Sequence, residues 1–332
     1  MPDETDRIVG AAAVNTLAMS TLRSTRSREW FATGLPLLAA AVVALFAWLQ
    51  PAFVGAENLV GILRQVAMVG IMAAGMTFVI MTGGIDLSIG PVLALSGLVA
   101  VLSLDAGLGL PLALLLALAL GLAIGLLNGA LIAWLGLPPI IITLAMLSIV
   151  RGSALLLGGP DLHAVRGQPA FTFIGTGSIA GLPFSVWLFA AVVAVLVFVQ
   201  RHTPLGLLVA AIGDNQRAAW LSGHRTRLTT LWLYGLCGLC AALAGVILSS
   251  QVHTGAATYG EFGTELDVIA AVVLGGTQLS GGRGSVVRTV LGALFLGALN
   301  NAMNILDVPI DLQLIAKGLI IALALGLGQL RS

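Results

Sequence analysis

The amino-acid sequence predicts an all-α, polytopic integral membrane protein. Hydrophobic residues make up 58% of the 332-residue chain, charged residues make up only 9%, and the mean hydropathy is +1.06. An ordinary soluble domain contains about 25% charged residues, so this composition excludes one. The apolar residues also fall into long runs with short polar connections, and one membrane-spanning helix requires about 20 such residues.

That length, applied along the chain, predicts about ten transmembrane helices. Residues 1–30 form a polar N-terminal tail, and residues 31–332 form one transmembrane domain. Within this domain, residues 201–227 form a long polar loop that we call the island. The predicted helices occupy approximately residues 31–49, 58–81, 86–104, 110–134, 138–157, 184–200, 228–250, 266–279, 286–305 and 312–330.

The positions of the basic residues predict the orientation of the chain. Arginines cluster in the tail and in the island, where Arg201, Arg217, Arg225 and Arg227 lie. Short Arg-rich segments are retained on the cytoplasmic side of a membrane. An even number of helices also places both termini on one side. We therefore predict that the island and both termini lie in the cytoplasm.

The island itself predicts a short helix outside the membrane. Gly213 and Asp214 suit a turn and a helix N-cap, residues 215–222 suit about two turns of helix, and Gly223 suits a left-handed C-terminal residue. Trp220 lies on this helix, whereas the other tryptophans lie at the ends of predicted membrane segments. An exposed indole favours a docking surface for a cytoplasmic partner. An ordinary loop whose indole enters the lipid headgroups is the alternative.

A polar corner is predicted between the second and third membrane segments. Residues 82–90, TGGIDLSIG, contain two consecutive glycines that end one helix. Asp86 is expected to cap the next helix, and Ser88 to add a further hydrogen bond. Irregular backbone at membrane depth survives only where protein or water satisfies it, so Asp86 and Ser88 are also candidates for lining a solute path.

Polar side chains inside predicted membrane segments are further candidates for the path, because burying them in lipid is costly. Asn300 and Asn304 lie four residues apart and share a helix face. Amides both donate and accept hydrogen bonds, which suits hydroxyl-rich solutes, although hydrogen bonding between helices is the alternative for each Asn. Arg64 and Lys317 lie near predicted outer ends, where their charges could instead reach the membrane surface. The whole set comprises Arg64, Gln65, Asn128, Asn300, Asn301, Asn304, Gln313 and Lys317.

Several functions are excluded by what the sequence lacks. Its one lysine, Lys317, lies in an apolar segment, so no GxxxxGK[ST] loop exists to bind ATP. We find no metal-ligand spacing and no paired nucleophile and base, and Cys237 and Cys240 suit a buried pair. We therefore predict that the chain is not an enzyme and holds no metal or cofactor. No span carries the mid-helix carboxylate common in ion-coupled transporters, although a self-sufficient secondary transporter or facilitator is the alternative.

Two further patterns concern packing and internal symmetry. Glycines recur inside the spans, as at Gly121, Gly125 and Gly129, which predicts close approach between helices. The segment VIMTGGIDLS at 79–88 is echoed by AVVLGGTQLS at 271–280. Transporters are often built from repeated halves, but the intervals between paired motifs differ, which leaves a duplication open.

Three motifs in order carry a resemblance to a known family. They are TGGIDLSIG at 82–90, PLGLLVAAIGDNQRAAWLSG at 204–223, and ELDVIAAVVLGGTQLSGGRGSVVRTVLGALFLGALNNAMNIL at 265–306. Together they resemble the membrane permease of bacterial ribose-type sugar ABC importers, which includes permeases for ribose, other pentoses, galactosides, rhamnose and autoinducer-2. Arg288 departs from the pattern, since relatives usually carry a small or apolar residue there.

The resemblance implies an ABC importer permease fold and a subunit in the bacterial inner membrane. Two permease copies or paralogues would form the path for a monosaccharide or a similar small polyol or furanose. Cytoplasmic ATPase subunits would bind ATP and Mg, and a periplasmic or secreted binding protein would deliver the solute. Residues 214–223 would form the coupling helix, and Asn300 and Asn301 would line the path. The implied ATPase-coupling residues are Asp214, Asn215, Arg217, Trp220, Leu221 and Gly223.

Overall fold

The computed structural model describes residues 40–41, 44–48, 50–260 and 263–329. The predicted tail and most of the first predicted segment, 31–49, lie outside the described residues. A 3-10 helix at Pro51–Val54 precedes eleven α-helices: α1 (Ala56–Met81), α2 (Ile89–Asp105), α3 (Leu110–Leu135), α4 (Pro139–Gly158), α5 (Pro169–Thr176), α6 (Phe184–His202), α7 (Pro204–Leu221), α8 (Thr226–Val252), α9 (Thr264–Leu274), α10 (Val286–Ile305) and α11 (Ile310–Gln329).

Each predicted segment from 58–81 onward overlaps one of these helices. Within the described residues, six helices are long and apolar enough to cross a membrane, namely α1, α3, α4, α6, α8 and α10. The helix α9 has only 11 residues, which gives a rise of about 16 Å. The prediction of a full span at 266–279 is therefore wrong, because Gly275 and Gly276 end the helix at Leu274.

The helix α8 lies at the centre of the fold and packs against α3, α2 and α1. Glycines permit this packing, as their spacing predicts. A Cβ added to Gly125 of α3 would lie 2.2 Å from the Tyr234 carbonyl oxygen of α8, and one on Gly238 would lie 2.2 Å from the Gly121 carbonyl oxygen. The backbones of α3 and α8 are thus in direct contact. Cys237 and Cys240 of α8 are buried free thiols, as predicted.

Short strands tie down the loops at one end of the bundle. The strand β1 (His163–Ala164) pairs antiparallel with β4 (Thr254–Gly255), which follows α8. The strands β2 (Ser178–Ile179) and β3 (Leu182–Pro183) form a second antiparallel pair between α5 and α6. The β1–β4 pair holds the loop after α4 against the end of α8.

The two segments of similar sequence, residues 79–88 and 271–280, end their helices with the same type of turn. The left-handed residue is Gly83 (φ +79) after α1 and Gly276 (φ +80) after α9. In each turn this glycine donates its N–H to the carbonyl three residues earlier, at 2.9 and 2.8 Å, and the next N–H donates to the carbonyl five residues earlier, at 3.1 and 3.2 Å. This is the Schellman pattern. In the sequence comparison Gly83 aligns with Gly275, whereas in the structure Gly83 corresponds to Gly276. The two turns therefore match with a shift of one residue.

Candidate functional site

The helix α7 is longer than the island helix predicted from sequence, and it is interrupted. It begins at Pro204, and Asn215 has non-helical backbone angles, φ −161 and ψ 97. The Asn215 Oδ1 accepts a hydrogen bond from the Ala218 N–H at 2.9 Å, which is the geometry of an N-cap. The prediction that Asp214 caps this helix is therefore wrong. The chain turns one residue later, and Asp214 packs against Gly282 instead.

The second part of α7, residues 216–221, ends as predicted. Gly223 is left-handed, with φ +86. Its N–H donates to the Trp220 carbonyl at 2.9 Å, and the His224 N–H donates to the Ala219 carbonyl at 3.3 Å. These two bonds again form a Schellman motif, so the short helix is capped at both ends by its own residues.

Large apolar side chains on this short helix are exposed. Trp220 is 60% exposed and Leu221 is 71% exposed. Arg217 on the same helix is also exposed, whereas Ala219 is buried. The helix therefore attaches to the bundle through a small residue and presents an indole, a leucine and a guanidinium outward. Exposed aromatic and Arg side chains are typical of protein–protein contact residues.

The corner between α1 and α2 is closed by a buried polar network. The Asp86 Oδ1 accepts hydrogen bonds from the Ser88 N–H at 2.9 Å and from the Ser88 hydroxyl at 2.6 Å. Asn128 of α3 donates to the Ser88 Oγ at 2.9 Å, and Thr143 of α4 donates to the Ile85 carbonyl at 3.2 Å. The corner is thus bonded to two neighbouring helices.

The prediction that Asp86 caps the next helix is wrong. The helix α2 begins at Ile89 with Ser88 as N-cap, and no side chain caps it. Asp86 instead bonds two residues ahead, within the turn itself. Asp86, Ser88 and Asn128 are all buried, at 1%, 1% and 0% exposure. The Asp86 Oδ2 and the Asn128 Oδ1 have no hydrogen-bond partner.

The amides of α10 have three different surroundings. Asn301 exchanges two hydrogen bonds with Asn58 of α1, at 2.8 and 2.9 Å. Asn304 accepts from Gln313 of α11 at 2.9 Å. The Asn300 Oδ1 is buried with no partner. Interhelical bonding, the alternative considered for each Asn, is therefore observed for Asn301 and Asn304.

The two basic path candidates also differ from each other. Lys317 of α11 forms an ion pair with Asp267 of α9 at 2.9 Å, and both side chains are partly exposed. Arg64 of α1 has a buried Nε with no hydrogen-bond partner. The positive charge of Lys317 is thus offset locally, since opposite charges at this distance attract strongly where water is scarce.

Comparison with known proteins identifies the family. A family model described as "Branched-chain amino acid transport system / permease component" matches residues 58–325. The chain belongs to this family. The permease is 42% identical over 292 residues to the ribose import permease protein RbsC of Bacillus subtilis, covering 88% of this chain and 90% of that protein. No solved structure matches the permease.

Other relatives cover the permease just as fully. The ribose import permease protein RbsC of Escherichia coli is 40% identical over 302 residues, covering 90% of this chain and 94% of that protein. The D-allose transport system permease protein AlsC of Escherichia coli is 34% identical over 307 residues, covering 91% and 93%. The chain is therefore similar to sugar-transport permeases along nearly its whole length.

The site residues predicted from sequence fall into three groups in the permease. One is the short helix 216–221 with its caps, one is the corner network of Asp86, Ser88 and Asn128, and one comprises the polar residues of α1, α10 and α11. Within the described residues, no group of three or more His, Cys, Asp or Glu side chains could hold a metal ion.

Sequence reasoning missed three polar residues that join elements. Arg151 of α4 donates hydrogen bonds to the backbone carbonyls of Ala257, Tyr259 and Gly260. Asn58 pairs with Asn301, and Gln200 of α6 bonds to the loop before α10. Arg151 lies inside the predicted span 138–157, so the rule that selected Arg64 should also have selected it.

Proposed function

We propose that this permease forms the transmembrane path for a monosaccharide, or a similar small polyol or furanose, in an ATP-driven importer. The observation that carries the proposal is the similarity, at 34–42% identity and over 88–91% of the chain, to permeases named for ribose and D-allose. Separate ATPase subunits would bind ATP and Mg, and a solute-binding protein would deliver the solute. The permease would pair with a second copy or with a related permease.

The polar residues support a neutral, hydroxyl-rich solute. Lys317 of α11 is already paired with Asp267. The candidates on α10 are the amides Asn300, Asn301 and Asn304. Amides match hydroxyl groups as both donors and acceptors. We assign these residues, with Arg64, Asp86, Ser88 and Asn128, as candidates for the path.

The ATPase subunit is proposed to dock on the short helix of α7. Residues 214–223 expose Arg217, Trp220 and Leu221, and an aromatic anchor beside a guanidinium fits a pocket on a protein partner. Movement of the ATPase would displace this helix and switch the path between outward and inward access. In this arrangement the permease crosses the bacterial inner membrane several times, and the arginines near both termini and in the island favour a cytoplasmic position for both termini.

The docking proposal is tested with the double variant Arg217→Ala and Trp220→Ala. We expect the protein to insert normally but to lose solute-stimulated ATP hydrolysis when it is reconstituted with its ATPase and solute-binding subunits. Trp134→Ala is the matched control, because this indole is also exposed but lies at the end of α3. Unchanged stimulation in the double variant, or an equal loss in the control, would remove the coupling role.

The solute is identified through the partner that delivers it. We expect the cognate binding protein to bind one member of a panel of pentoses, hexoses, deoxysugars and autoinducer-2 more tightly than it binds leucine or valine. Preferential binding of a branched-chain amino acid would contradict the proposed solute class.

The orientation of the permease is tested separately with the variant Trp220→Cys. We expect a thiol reagent to label this cysteine only from the cytoplasmic side of the membrane.

A further inference from the structure

Three separate turns meet at one point beside the break in α7. They are residues 81–84 at the end of α1, residues 213–215 in α7, and residues 280–282 after α9, and we call this contact the glycine junction. The Gly282 N–H donates to the Met81 carbonyl at 2.9 Å. A Cβ added to Gly213 would lie 2.0 Å from that carbonyl oxygen and 2.2 Å from the Gly282 nitrogen. The α7 backbone therefore fills the gap between the other two turns.

The contact is made by backbone on all three sides. A Cβ added to Gly281 would lie 3.0 Å from the Gly213 Cα and 3.0 Å from the Gly83 nitrogen. Side chains can change rotamer when a neighbour moves, but directly packed backbone cannot. Close-packed interiors respond to a push by switching between discrete arrangements and not by continuous deformation. A displacement of α7 at Gly213 must therefore move the turns that follow α1 and α9.

The junction is next to the exposed helix. Gly213 lies two residues before the non-helical Asn215, after which the exposed residues 216–221 begin. The start of α7 is also fixed, because a Cβ added to Gly206 would lie 1.9 Å from the Gln200 carbonyl oxygen. The helix α7 is thus anchored at both ends of its first part, and the exposed part extends from the second anchor.

One side chain extends the junction to α10. Gln200, at the end of α6, donates to the Gly284 carbonyl at 3.2 Å and accepts from the Val286 N–H at 3.0 Å. Its Nε2 also contacts the Met81 Sδ at 3.2 Å. Gln200 therefore joins the end of α6 to the end of α1 and to the first residue of α10.

The helices α1 and α10 are also joined directly to each other, further along their lengths. The hydroxyls of Thr77 on α1 and Thr289 on α10 are 2.8 Å apart and fully buried. At the far end of the pair, Asn58 bonds to Asn301. The helices α1 and α10 are therefore linked along their length, and they carry the path candidates Arg64 and Asn300.

We propose that the glycine junction and Gln200 transmit displacement from the docking helix to α1 and α10. Gly213 is the contact point, and Gln200 is a positioning residue that keeps α1, α6 and α10 moving as one unit. The inference rests on the proposed docking of the ATPase on residues 214–223. It adds the internal route by which that docking reaches the path.

The test uses Gly213→Ala and Gln200→Leu in the complete complex with ATPase and solute-binding subunits. The added methyl of Gly213→Ala separates the three turns, and Gln200→Leu keeps a side chain of similar size but removes its hydrogen bonds. We expect the ATPase to co-purify with each variant and to keep its basal rate. Solute-stimulated hydrolysis and uptake should fall about tenfold, the order of a typical coupling between two sites.

The control is Gly152→Ala on α4, where an added Cβ would meet nothing within 4 Å. This variant should keep full solute-stimulated ATP hydrolysis and uptake. If Gly213→Ala does not fold, Gln200→Leu decides. Full stimulation in Gln200→Leu would overturn the inference, and so would loss of ATPase binding, because that would indicate damage to the docking surface. Failure of the unmodified permease to bind the ATPase would instead overturn the proposed function.

Discussion

At the scale of single residues, the Asn58–Asn301 pair allows a direct test of interhelical bonding. Two reciprocal hydrogen bonds join these amides, and such bonds contribute about 0.6 kcal/mol on average and up to about 1.7 kcal/mol within membranes. A double-mutant cycle of Asn58→Ala and Asn301→Ala should give a coupling energy in that range. The measurement is reversible unfolding of the purified permease in mixed micelles.

Asn300→Ala is the matched control for this pair. Its Oδ1 is buried without a partner, so its cycle with Asn58→Ala should give a coupling energy near zero. If Asn300 lines the path, this variant should lower solute uptake while leaving stability nearly unchanged. Equal coupling energies for Asn300 and Asn301 would show that the observed pairing does not hold in the membrane.

A second residue-scale prediction separates the hydrogen bonds of Asp86 from its charge. Asp86→Ala leaves the buried Ser88 N–H without its acceptor, which should cost about 1–3 kcal/mol of stability. Asp86→Asn keeps an oxygen in that position and removes the cost of burying a charge, so it should unfold close to the unmodified temperature. Thermal unfolding of the purified proteins distinguishes the two variants.

Solute uptake is the second measurement on the two variants Asp86→Ala and Asp86→Asn. An Asp86→Asn protein that is stable but inactive would indicate that the carboxylate itself acts in the path, as one hypothesis from the sequence holds. An Asp86→Asn protein as unstable as Asp86→Ala would contradict the hydrogen-bonding account of this corner.

The sequence identifies the polar residues that belong to these sites better than it predicts which residues they contact. It selects Asp86, Ser88 and Asn128 individually, but nothing in residue type or spacing indicates that Asn128 donates to Ser88 forty positions away. It also places the cap of the island helix at Asp214 when Asn215 makes the bond. Asp and Asn are nearly equivalent as N-caps, so only the backbone angles distinguish them.

At the scale of elements, the cap of the short helix in α7 can be tested directly. Asn215→Ala removes the acceptor for the Ala218 N–H, and loss of an N-cap costs about 0.5–2 kcal/mol. We expect faster hydrogen exchange at the amides of residues 216–221, with the rest of the permease unaffected. Asp214→Ala is the control and should leave these amides protected. The reverse result would restore Asp214 as the cap.

Helix positions are the most predictable elements of this fold, since long apolar runs leave few alternatives in a membrane. The exceptions occur where glycines decide the ends. The pair Gly275 and Gly276 ends α9 after 11 residues, whereas the predicted segment extends to residue 279. Conversely, α7 begins at Pro204, well before the short helix predicted at residues 215–222, because Pro is tolerated in the first turn of a helix.

At the scale of the whole molecule, the arrangement of helices depends on contacts that the sequence does not specify. Small residues predict that helices approach closely, but many spans contain glycines, and the choice of partner follows from the complete packing. The structure pairs α3 with α8 and surrounds α8 with α1 and α2. The glycines of α3 and α8 then face each other's backbone, as at Gly125 and Gly238.

This central contact leads to a prediction about the stability of the entire bundle. Replacing Gly by Ala inside a helix normally stabilises it by about 0.5–1 kcal/mol. Gly125→Ala should do the opposite, because its Cβ would lie 2.2 Å from the Tyr234 carbonyl oxygen, and overpacking costs about 1–3 kcal/mol. Gly152→Ala, with open space around it, should be neutral or stabilising. Thermal unfolding in detergent measures both variants, and a Gly125→Ala protein as stable as Gly152→Ala would mean that α3 and α8 are not in direct backbone contact.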